Sequence, residues 1–160
     1  MRLSFVSNVS LALAFSVSVL ADQGAALTGP DAARTYERDK ARLLKTAELM
    51  PAEHYGSRQV SHDKPFSAQL VAAATMGKAC GELLDRPIDF GSEDPQTTIV
   101  TKPDVAAALS KGFGMCDAYF RTVANGARPA PNVAAILEHF TSMANYLAVS
   151  LRARGIEPPK

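Results

Sequence analysis

Few side chains in this chain could do chemistry: three histidines, two cysteines and a handful of clustered acids. His54 stands in the run MPAEHYGSRQV, His62 in SHDK, and His139 directly before Phe140. An imidazole can ligate a metal or act as a general base, but a metal needs ligands spaced so that they converge on one point. These three fall in separate segments at no ligand spacing. His54 therefore reads as a hydrogen-bonding residue of a turn, His62 as a solvated loop residue, and His139 as lying off the apolar side of its helix. Cys80 and Cys116 form no CxxC pair, so neither a redox motif nor a zinc knuckle is suggested. Both lie on apolar stripes, away from the basic surroundings that make a thiol reactive. Asp85, Glu93 and Asp94 bring carboxylates near one another, which acid–base work requires. They sit in a connecting segment and read as a solvated loop. No glycine-rich phosphate loop and no GxSxG elbow is present.

Helices must position these residues. In Asn132 to Arg154 the apolar residues Val133, Leu137, Phe140, Ala144, Leu147 and Leu151 recur every three or four positions, one stripe down a helix. Pro131 precedes this helix and Gly155 follows it. A first helix opens at Gly29-Pro30-Asp31 and runs to about Met50, with Ala33, Tyr36, Leu43, Leu44, Ala47 and Met50 inward. Its basic run, Arg34, Arg38, Lys40, Arg42 and Lys45, broken by Glu37 and Asp39, reads as a solvated face. Asp63 is the expected cap of a second helix with Pro65 in its first turn. Its stripe, Phe66, Leu70, Ala73, Gly77, Cys80 and Leu84, is lined with small residues that let a neighbour approach. Thr101 caps a third helix striped by Val105, Leu109, Gly112, Phe113, Cys116, Phe120 and Val123. Four striped helices predict an all-α fold, a four-helix bundle.

The connection from Arg86 to Val100 has two prolines, a glycine and no helical period. Its length reaches about 50 Å, enough to run back along a helix of about 30 Å and start the third helix parallel to the second. Cys80 and Cys116 each lie about four turns into their helices, so parallel helices would bring them level. In antiparallel helices they would be staggered by about 10 Å, beyond the reach of a disulfide. A Cys80–Cys116 bridge and a parallel crossover therefore support one another. The other reading is two buried thiols behaving as small hydrophobes.

Composition sets the address. Arg2, the apolar run Leu11 to Leu20 and the small residues Val19-Leu20-Ala21 read as a signal peptide over residues 1–21. The mature domain would then be 22–160, periplasmic or secreted, where one disulfide is at home. Arg2 is the only charged side chain of the leader, so the remainder carries 16 basic and 16 acidic residues. That balance gives no support to nucleic-acid binding, and there is no polybasic run for a membrane surface. No membrane anchor is expected after cleavage.

Three segments resemble the DinB-like (DinB/YfiT-like) family of helical bundles: AELMPAEHYGSR from Ala47, FSAQLVAAATMGKAC from Phe66, and ANYLAVSLRARGIEPP from Ala144. Cys116-Asp117-Ala118-Tyr119 is similar to the family's third helix. The resemblance spans essentially all of the mature chain and is most specific at its carboxy-terminal end. It implies an up-down-down-up bundle with a long crossover between helices 2 and 3. Many members hold a metal on three histidines, one from helix 2 and two from an HxxxH pair on helix 4. The matching positions here are Ala72, Thr141 and Asn145, so no metal, no cofactor and no catalytic residue is expected. These three positions would line a small groove, with Thr141 and Asn145 free to bond each other, a water or a small ligand. The expected function is an exported binding or structural module for an unknown small ligand or protein. The alternative is a metal- or thiol-dependent transferase or hydrolase-type enzyme of the same superfamily. A third reading is a homodimer that pairs exposed helix faces.

Overall fold

Four long helices and two short ones make up the computed structural model, which describes residues 27–59 and 63–160. The leader segment 1–21 and His62 lie outside the described residues. Among those residues there is no strand, and no helix is long and apolar enough to cross a membrane.

Helix α1 (Gly29–Leu49) starts where Thr28 accepts from the Asp31 amide at 3.3 Å, with Pro30 in the first turn. It ends at Met50, where Pro51 cannot continue it. Lys102 closes that end from across the fold, donating to the Glu48 and Met50 carbonyls at 2.7 and 2.9 Å. A 3₁₀ turn (Ala52–His54) follows, and the Tyr55 hydroxyl donates back to the Ala47 carbonyl at 2.7 Å.

Helix α2 (Phe66–Glu82) begins without the cap expected of Asp63. The Asp63 carboxylate instead accepts from the Tyr146 hydroxyl at 2.6 Å, because a partly buried phenol from another helix needs an acceptor. The crossover contains one turn of helix, α3 (Pro95–Thr98), too short to leave a periodic pattern. Helix α4 (Lys102–Ala124) is capped by Thr101 as expected, and α5 (Val133–Arg152) is the last helix of the described residues.

The residue pairs between helices define their directions. Gly77 meets Gly112 and Cys80 meets Cys116, so α2 and α4 ascend together. Asp39 meets Thr141 and Arg42 meets Asn145, so α1 and α5 do the same. Gly29 lies against Val123 and Tyr36 against Phe113, so α1 runs opposite to α4. The Cys80–Cys116 disulfide forms, with Cα atoms 5.0 Å apart and both residues fully buried.

The core is aromatic at its centre. Tyr36 stacks on Phe120 at 4.4 Å, and Phe140 touches both Tyr36 and Phe113. The α4 and α5 stripes read from the sequence are buried throughout. Helix α1 differs at two positions. Leu44 is 39% exposed and Ala33 only partly buried, because each lies one residue, about 100° of rotation, outside the buried arc through Ala32, Tyr36, Leu43 and Ala47.

Candidate functional site

The positions singled out by the resemblance sit on α2 and α5, and α1 decides what surrounds them. Asp39 has no exposed surface, so the reading of a solvated charged face fails at this residue. Its register explains the burial: Ala32, Tyr36, Asp39, Leu43, Thr46 and Met50 recur at alternating four- and three-residue steps, all buried. Arg38 grips the Asp39 carboxylate with two nitrogens, Nε at 2.8 Å and an Nη at 3.0 Å, the fork geometry that suits a carboxylate. Arg42 lies 3.7 Å from the same carboxylate and is itself four-fifths buried.

Helix α5 answers this cluster. Thr141 donates its hydroxyl to Asp39, and Asn145 Oδ1 accepts from an Arg42 Nη at 3.0 Å. Thr141 and Asn145 are thus turned to α1, not to each other. Burial pushes the Asp39 carboxyl upward, but hydrogen bonds from Arg38 and Thr141 and the charges of Arg38 and Arg42 outweigh it. The net effect holds the group below its ordinary 3.8.

Ala72 belongs to α2; its carbonyl accepts from the Thr75 hydroxyl at 2.8 Å, and His139 of α5 meets its main chain. Burial pushes the His139 imidazole below its ordinary 6.5, while a hydrogen bond with the Ala72 main chain works the other way. His139 Nε2 is buried without a partner among the described residues. The ring packs edge-on to Phe140, 6.5 Å between centroids. His54 enters hydrogen bonds through its main chain: its amide donates to the Pro51 carbonyl, and its carbonyl accepts from the Ser57 hydroxyl at 2.5 Å.

The acids of the crossover have conformational duties. Asp85 takes a left-handed backbone, φ 53°, as α2 closes with the Arg86 amide on the Gly81 carbonyl at 2.8 Å. The Asp94 carbonyl accepts from the Thr97 and Thr98 hydroxyls, both at 3.1 Å.

The donor set does not fit the metal that the resemblance implies. Ala72 offers no side-chain donor, and Thr141 and Asn145 are neutral oxygen groups already bonded to α1. Asp39 is the one anion there, and two guanidiniums already face it, so the local charge opposes a divalent cation. Among the described residues, no three His, Cys, Asp or Glu side chains group as a metal-ligand set.

Sequence reading missed Asp39 and Arg42. The signal was present: an acid filling the one gap in the α1 stripe marks a buried charge, and a buried charge demands partners. No family model, no curated protein and no solved structure matches the chain.

Proposed function

We propose that this chain is an exported helical-bundle module of the DinB-like type that works by binding or scaffolding, without a catalytic metal. The observation that carries the reading is the fate of positions 141 and 145. Where relatives of that type would place two histidines one helical turn apart, this chain has Thr141 and Asn145, committed to Asp39 and Arg42 on α1. Bonds to Asp39 and Arg42 tie these two positions to α1, which stabilises the helix pair and leaves no open coordination position there.

The directions of the helix pairs support an up-down-down-up bundle, and the crossover from Arg86 to Val100 supplies the long connection it needs. The buried disulfide fits an oxidising compartment, in keeping with a periplasmic or secreted protein and a leader over residues 1–21.

The test is elemental analysis of the purified exported protein, with thermal shifts in added zinc and nickel and sequencing of its amino terminus. The expected result is less than stoichiometric metal, no shift, and a start at or near Asp22. One tightly held metal per chain would overturn the metal-free reading. An intact leader on exported material would overturn the assignment of residues 1–21.

A further inference from the structure

A hollow of about 430 Å³ opens where the start of α1 meets the turn between α4 and α5. Leu27, Thr28, Pro129, Ala130, Pro131 and Ala134 are among its walls, and Arg128 is the one charged residue in its lining. Gly29 explains why these segments lie so close. A Cβ there would run into the Val123 carbonyl oxygen, so the first turn of α1 rests directly on the end of α4. The turn is held from beneath, where the Ala130 amide donates to the Tyr119 hydroxyl at 2.9 Å and the Val133 amide to the Ala130 carbonyl at 3.0 Å. Pro129 and Pro131 have no amide to offer, so they bring apolar ring surface to the hollow and no donor.

Three observations say what covers this hollow. The described chain begins at Leu27, which is itself a wall and 40% exposed, so the residues ahead of it leave from the rim. With residues 1–21 removed, the segment ahead is Asp22-Gln23-Gly24-Ala25-Ala26, which reaches about 17 Å when extended. That is enough to cross the hollow, and a tethered segment meets a neighbouring seat at a high effective concentration. Charge agrees with this. Arg128 has no ion-pair partner among the described residues, and Asp22 carries the only charged side chain of the segment.

We propose that residues 22–26 dock in this hollow, with Ala25 and Ala26 against the proline turn and the Asp22 carboxylate on Arg128. The docked segment ties the start of α1 to the connection between α4 and α5. A chain end stays in place only where something holds it, and here the holding surface is mostly apolar with one cation at hand. This inference rests on the reading of residues 1–21 as a leader, because an uncleaved chain would continue from Asp22 into the apolar run Leu11 to Leu20.

The experiment is isotope-edited nuclear magnetic resonance on the exported protein. Cross-relaxation peaks are expected between the Ala25 and Ala26 methyls and the rings of Pro129 and Pro131. Ala26→Glu should abolish them and shift the amides of Ala130 and Ala134. Position 26 precedes α1, so the fold persists in this variant. Pro131→Glu, made in the opposite wall, should release the same segment. Asp22→Asn and Arg128→Gln should each lower the ratio of docked to free segment by about twofold to fivefold, the worth of an exposed ion pair, and the double variant no further. Absence of the cross-peaks, peaks unchanged in both Ala26→Glu and Pro131→Glu, or peaks that arise between two chains in a mixed labelled sample would overturn the proposal. Sequencing of the amino terminus stands apart from these outcomes and judges the leader alone.

Discussion

Asp39 is a charge placed among apolar neighbours, and what holds it there comes from two helices. Arg38 and Arg42 come from its own helix, and Thr141 from α5. Asp39→Ala removes the acceptor, leaves the Thr141 hydroxyl unpaired and frees Arg42, so it should cost about 2–3 kcal/mol in denaturant unfolding. Because the folded carboxyl lies below its ordinary 3.8, its contribution is complete above that pH and fades as pH falls through the folded value. The stability gap between the wild type and Asp39→Ala should therefore narrow in acid. His139 gives the opposite kind of sensitivity. Its folded pKa is depressed, so the unfolded chain binds the proton more readily, and stability should fall as pH drops below about 6.5. His139→Leu should flatten the unfolding profile between about pH 7 and pH 5, where the wild type declines. A slope unchanged in the variant would remove His139 as its source.

Helix α2 shows what the sequence disclosed about the elements and what it withheld. Its small-residue stripe announced a close neighbour, and the structure supplies one. A Cβ on Gly112 would lie 2.0 Å from the Ala74 carbonyl oxygen, and one on Gly77 would lie 2.6 Å from the Gly112 Cα. Both obstacles are backbone, so Gly112→Ala must push the helices apart and should cost about 3 kcal/mol, read as a lowered denaturant midpoint. What could not be read was competition between elements. Asp63 looked like a cap because sequence shows only local partners, and Tyr146 reaches it from a helix some eighty positions away. Likewise Leu44 belonged to an apolar run but lies outside the buried arc, and the single turn α3 is shorter than any period that could reveal it.

At the scale of the whole molecule, two sequence features carried the arrangement: the length of the segment from Arg86 to Val100 and the matched depth of two cysteines. Both are distances counted along the chain, and chain distance converts directly into geometry when the elements are helices. The gap-filling Asp39 marked a buried charge, but its partners on α5 could not be read for the complementary reason, since they depend on which helix faces which. The disulfide spans a sequence separation of 36, so cutting it should cost about 3–4 kcal/mol through the larger freedom of the unfolded chain. Urea unfolding with and without reductant, and of the Cys80→Ser/Cys116→Ser variant, measures this. Unfolding midpoints that coincide in all three cases would show that packing alone holds α2 to α4.

With two cysteines the bridge has no isomers within one chain. Every correct oxidation requires α2 and α4 to dock side by side, and the only competing product joins two chains covalently. The yield of native protein is therefore a race between a first-order docking step and a second-order collision. Dilution during oxidative refolding favours the monomer, and crowding before oxidation favours linked pairs that reductant dissolves.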